Sequence, residues 1–147
     1  MRNLAVSPFL FFRVENKSAT MMLMNSERLF LALGAISAFI GVAAGAFGAH
    51  GLKSRLSAEM LVIFETGVRY QMYHAFALLF VAWASSRFSG SLFTTAGWLF
   101  VIGTILFSGS LYLLSLTETR WLGAITPLGG VAFLGGWMCL AWAALKN

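Results

Sequence analysis

His50 and His74 are the only histidines of this 147-residue chain, and its acids are five glutamates with no aspartate. A zinc-type centre needs three or four converging ligands, and two histidines lack a third, so no metal site is expected. Nucleophilic catalysis needs a base beside the hydroxyl or thiol and a further group that orients the base. Serines abound, but Glu65 or Glu118 would have to do the orienting, and no motif brings either to a histidine. No phosphate-cradling loop is present. The pattern points away from an enzyme, and no cofactor is expected.

The polar residues of note share a location instead. His50 ends one apolar stretch; Glu65, Arg69, Tyr70, Gln71, Tyr73 and His74 open the next; Ser108, Ser110, Tyr112 and Ser115 close a third; Thr126 and Pro127 open a fourth. In an antiparallel arrangement all of these reach the same end. His50, Glu65, Arg69, Tyr70, Gln71, His74, Ser108 and Ser110 form the candidate cluster for a ligand or partner. Glu65 stands four residues before Arg69, the favourable order for a helical ion pair. His74 hydrogen-bonding a Ser or Tyr of a neighbouring helix is favoured over proton relay. Glu65 and His74 are half a helical turn out of phase and share a face only if the helix bends at Gly67.

The elements that must position these groups are written in the charge. Leu29–Ala49, Tyr70–Ser86, Phe88–Thr117 and Trp121–Leu145 contain no charged residue. All but the second reach the ~20 residues that carry a helix across a bilayer core. With 59% apolar and 10% charged residues, against about 25% charged in soluble domains, the chain is a membrane protein. The expected fold is all-α: a four-helix integral membrane bundle over residues 25–147. Residues 1–24, with Pro8 and three methionines just before the first helix, are expected to be a disordered tail or a misassigned start.

The net charge of +5 does not point to nucleic acid, because the basic residues are scattered and a phosphate-tracking surface needs them clustered. They read as interfacial anchors. With both termini on one side, that side carries Arg2, Arg13, Lys17, Arg28, Arg87 and Lys146, and the other Lys53, Arg55, Arg69 and Arg120. The excess favours cytoplasmic termini. Trp98, Trp121, Trp137 and Trp142 suit aromatic belts. Cys139, alone in the fourth stretch, has no disulfide partner in the chain.

Between the first two spans, Leu56, Met60, Leu61, Ile63, Phe64 and Val68 fall on one arc, opposite Glu59, Glu65, Thr66 and Arg69, with Val62 the misfit. This predicts an amphipathic helix lying in the interface, capped by Ser57 and bending at Gly67 into the second span. Gly34, Ala38, Gly41, Gly45 and Gly48 strip one face of the first helix to small residues; Gly129 and Gly130 open the fourth. Such seams let helices approach closely in lipid, within one bundle or, as the alternative, between copies. Pro127 is expected to start or kink the fourth helix.

Four segments, GVAAGAFGAHGL (41–52), FETGVRYQMYH (64–74), LFSGSLYLLSL (106–116) and ITPLGGVAFLGGW (125–137), resemble the YgdD-like family of small inner-membrane proteins. The likeness covers about residues 26–147. It implies a four-helix domain in the cell's inner membrane and no particular activity. The family's recurrent residues correspond to Gly45, Gly48, His50, Glu65, Gly67, Tyr70, Gln71, His74, Ser108, Gly109 and Ser110. Typical members begin close to the first helix, so residues 1–24 are a departure. The expected function is binding of a lipid, small molecule or protein partner at the cluster. The alternative is a homo-oligomeric transporter or channel using Glu65 and His74.

Overall fold

The computed structural model describes the backbone of residues 8–146 and the side chains of residues 26–146. The expected break between a tail over 1–24 and the domain therefore falls among side chains outside the described residues. Four long helices follow one another: α1 (Pro8–Phe47), α2 (Ala58–Arg87), α3 (Ser91–Thr117) and α4 (Thr126–Lys146). A π-helical turn, Gly48–Leu52, follows α1, and a 3-10 turn, Arg120–Ala124, precedes α4. Among the described residues there is no strand.

Local chemistry sets the boundaries. Ser57 caps α2, its Oγ accepting from the Met60 amide at 3.2 Å, and Glu59 lies in the first turn, where the helix dipole favours an anion. Gly90 turns the chain between α2 and α3 at φ 156°, a backbone conformation that side chains disfavour. Glu118 ends α3 in the left-handed region, at φ 56°. Pro127 occupies the second residue of α4, where a missing amide donor costs nothing, so it starts the helix rather than kinking it.

The amphipathic segment is not a separate interfacial helix. It forms the first turns of α2, which runs unbroken through Gly67 into the apolar stretch. Its apolar arc packs inward, with Met60 and Phe64 buried, while Val62 is exposed. The reason α2 needs no bend is visible at Gly67: a Cβ there would lie 3.0 Å from Cε1 of Tyr112. That glycine admits α3 instead of breaking the helix.

Each helix packs on the next in sequence, whereas among the described residues α1 and α4 do not pack on each other. The array is open, not a closed bundle. Both end helices turn their glycines toward the next helix in sequence and leave bulky chains outside; Phe39 is 76% exposed and Met138 70%. So much exposed apolar surface would be untenable in water and is ordinary in lipid. Ser26–Leu52, Ser91–Thr117 and Arg120–Lys146 are long and apolar enough to cross a membrane. The apolar core, centred on Phe30, Leu78, Val81, Ala96 and Phe100, fills the half nearer the chain ends. Gln71, His74, Ser108, Ser110 and Ser115, all buried, occupy the other half, and the buried Ser85 on the last turn of α2 is the exception.

Candidate functional site

The polar half is organised by α2. Gln71, 5% exposed, projects between two neighbours. Its Nε2 donates to the Ser37 carbonyl of α1 at 2.9 Å, and its Oε1 accepts from the Tyr112 hydroxyl of α3 at 2.8 Å. One amide thereby brackets three helices. In hydrocarbon each bond replaces an otherwise unsatisfied polar group. The Tyr112 ring covers Gly67 and packs against Phe64 at 4.9 Å.

His74, one turn deeper and 4% exposed, serves the other flank. Its Nδ1 lies 2.8 Å from the Tyr70 carbonyl, and its Nε2 lies 3.3 Å from the indole Nε1 of Trp137 on α4. The indole can only donate, so Nε2 accepts and Nδ1 carries the proton. The imidazole lies flat on Phe133, centroids 3.3 Å apart and planes within 4°. Tyr70 extends this aromatic wall, packing on Phe107 at 4.6 Å. Above the wall is a groove of about 600 Å³ between α2 and α4, also lined by Tyr73 and Gly130.

The expected cluster therefore divides. Gln71 and His74 are buried and bonded to different helices. Ser110 is buried, donating to the Phe107 carbonyl (2.9 Å) or sharing a proton with Thr126 of α4 (2.8 Å). Ser108 is buried with its Oγ unpartnered. Tyr70 is partly exposed at the groove. His50, Glu65 and Arg69 are exposed on the surface. No ion pair joins Glu65 to Arg69 among the described residues, so the favourable spacing is not used. Glu65 points outward and His74 inward, as an unbent α2 requires. No group of three or more potential metal ligands occurs among the described residues.

Trp137, Phe133, Tyr112 and Ser37 complete these contacts and lay outside the expected cluster. Trp137 reads in the sequence as a belt residue; in the structure its indole reaches His74 instead. The available signal was the four-residue step from Phe133 to Trp137, which puts both on one face of α4. The small-residue seam of α1 lies against α2: Gly48 meets Phe64, Gly45 meets Val68, Gly41 meets Met72, and Gly34 meets Leu79. On α4, Gly129 abuts the Phe107 backbone, while Gly130 has looser contact with the Phe107 ring.

Over residues 44–130 the chain matches a family described as "Protein of unknown function (DUF423)". It is 52% identical over 120 residues to the UPF0382 membrane protein YwdK of Bacillus subtilis, covering 81% of this chain and 98% of that one. It is 49% identical over 119 residues to the UPF0382 membrane protein SERP0230 of Staphylococcus epidermidis, covering 81% and 97%. A Staphylococcus haemolyticus relative, the UPF0382 membrane protein SH2409, is 45% identical with the same coverage. No solved structure matches the chain. The matched residues run from the last turn of the α1 glycine seam to Gly130, so they include Gln71, His74 and Tyr112, and the chain belongs to this family of membrane proteins of unknown function.

Proposed function

We propose that this protein crosses the cell's inner membrane four times and acts, without catalysis, as a binder of an apolar membrane-soluble small molecule or lipid in the groove between α2 and α4. The observation that carries the reading is the His74–Trp137 contact beneath an aromatic wall. A groove of about 600 Å³ is the size of small-molecule sites, which pair apolar walls with few oriented polar groups. Tyr70 and Tyr73, both exposed, offer hydroxyls to an incoming molecule.

The fourth crossing is α2. Its uncharged run Tyr70–Ser86 spans roughly 25 Å, and Arg69 and Arg87 reach water from its ends by snorkelling. Its antiparallel packing along both α1 and α3 supports this reading. The basic residues, six on the side of the termini against four, favour cytoplasmic ends. Absence of catalysis is supported by His74 itself, since both its nitrogens are engaged by groups that are neither nucleophile nor carboxylate. Transport coupled through Glu65 and His74 has no geometric support, because the two face opposite ways on a continuous helix. A homo-oligomer through the α1 seam has none either, because α2 occupies it.

The test is native mass spectrometry of the full chain extracted with its own lipid. Non-protein mass that the natural protein retains, and that His74→Ala and Trp137→Phe both lose while keeping their helicity, is the expected result. Equal retention in all three proteins would sink the reading.

A further inference from the structure

The groove between α2 and α4 has a charge at its mouth, and that charge lies deep. Arg69 is exposed and follows Val68, which packs on Gly45 of α1. Gly45 stands eight residues before Lys53, the first charge beyond its own span, or about 12 Å of helix. On the other flank Gly67 faces the Cβ of Leu111. Leu111 stands seven residues before Glu118 at the end of α3, or about 10 Å. Both neighbours therefore put Arg69 on the order of 10 Å beneath the charges that close their spans. A guanidinium at that depth must stretch to water or be met by a counter-charge.

We infer that the groove seats a long-chain fatty acid, its carboxylate on Arg69 and its chain descending past Gly130 toward Trp137. That assignment rests on the binding role proposed for the groove and gives its ligand a class.

Three observations carry it. First, the free polar groups here can all donate. Arg69 has no ion pair among the described residues, and Glu65, one turn nearer water, does not meet it. Tyr70 and Tyr73 line the groove, and among the described residues neither hydroxyl has a hydrogen-bond partner. Tyr73 lies one turn below Arg69 on the same face of α2, at the spacing where side chains meet. No acidic residue lines the groove. A guanidinium flanked by two phenols calls for an anion, and a carboxylate matches its planar fork with two parallel bonds.

Second, the groove fits one chain. It runs from Pro127 to Trp137, about 15 Å along α4. Its volume is about 600 Å³. At roughly 30 Å³ for each water-sized group, that is on the order of twenty groups, enough for a carboxylate and a single chain. A phospholipid brings two chains and a phosphate held at the level of water, well above Arg69.

Third, Gly130 keeps the groove open below Pro127. A Cβ there would meet only the Phe107 ring, at an ordinary 3.9 Å. The packing of α3 on α4 therefore does not demand a glycine, and glycine disfavours a helix. Its bare backbone leaves room for a chain instead.

The experiment uses the full protein in phosphatidylcholine vesicles with a palmitic acid analogue bearing a diazirine near the chain end. Its methyl ester, with the same chain and no charge, is the parallel probe. After illumination, cross-links are mapped by mass spectrometry and scaled to the outward-facing Phe39 and Ile102. The acid should label Leu134 and Trp137 about tenfold more than the ester, a ratio that one hydrogen bond between charged groups supports. Arg69→Gln should bring that ratio close to one, Arg69→Lys should keep most of it, and Glu65→Gln should not lower it. Tyr73→Phe, at an exposed position, should lower it about twofold and serves should Arg69→Gln fail to fold. Gly130→Leu should cut the label from both probes. Equal groove labelling by acid and ester overturns the inference and leaves the groove's binding role standing. So does an acid preference that survives both Arg69→Gln and Tyr73→Phe. Displacement of the acid by phosphatidylglycerol as readily as by palmitate overturns it too, by making the occupant a phospholipid. Absence of groove label from either probe overturns the inference, and the binding role then stands or falls on the mass retained by the natural protein.

Discussion

The α1–α2 and α3–α4 contacts solve the same problem in different ways. On the first, every hole lies on one side: Gly34, Gly41 and Gly45 of α1 and Gly48 of the π-helical turn that continues it receive Leu79, Met72, Val68 and Phe64 of α2. On the second, knobs and holes alternate. Phe107 of α3 enters at Gly129 and Phe100 at Gly136, while Phe133 of α4 enters at Gly103. Three of the four knobs in the first seam are flexible aliphatic or thioether chains. Those in the second are rigid rings, and at Gly129 the neighbour is backbone. Close packing in lipid therefore does not require a glycine stripe; it requires that each large side chain face a gap. The alternating seam has less slack.

Substitutions should expose that difference. Gly129→Ala drives a methyl into the Phe107 backbone, which cannot rotate away, so the loss should exceed about 3 kcal/mol or abolish folding; chemical unfolding in detergent measures it. Gly103→Ala meets the Phe133 ring, which shifts only by disturbing its stack on His74, and should cost about 1–3 kcal/mol in the same assay. Gln71→Leu tests what ties the looser seam to α3. It removes both bracket bonds and leaves the Tyr112 hydroxyl without its acceptor, for roughly 1–2 kcal/mol. Gly41→Ala should cost under about 1 kcal/mol, because the Met72 thioether can give way. Gly45→Ala, with Val68 at 3.4 Å, should be neutral or stabilising by up to about 1 kcal/mol through helix propensity. If Gly41→Ala proves as damaging as Gly129→Ala, the contrast between the seams fails.

Periodicity and charge made much of this legible. The arc from Leu56 to Val68 named the buried face of early α2, including its misfit at Val62, and Ser57 announced the cap. The same arc could not say whether that helix ends at Gly67, because a glycine that bends a helix and one that admits a tyrosine look alike in sequence. For the candidate site, Gln71 and His74 were identifiable as polar groups entering an apolar run. Their partners were not. Ser37 contributes a backbone carbonyl, which any residue has, and Trp137 is one of several tryptophans that suit an interface. Glu65–Arg69 shows the opposite failure: ideal spacing, yet two exposed side chains that keep their hydration instead of pairing.

The sequence alone determined that this is a helical membrane protein, where its turns lie, and that all its buried polar groups but Ser85 gather toward one end. These follow from local costs, since a charge in hydrocarbon, a broken backbone hydrogen bond or a missing cap is penalised wherever the chain goes. Only the tertiary structure decided that the helices form an open series, that Gln71 and His74 serve different neighbours, and that a groove opens between α2 and α4. Those outcomes depend on which side chain meets which gap across helices, and a helix's own period carries no record of its neighbour.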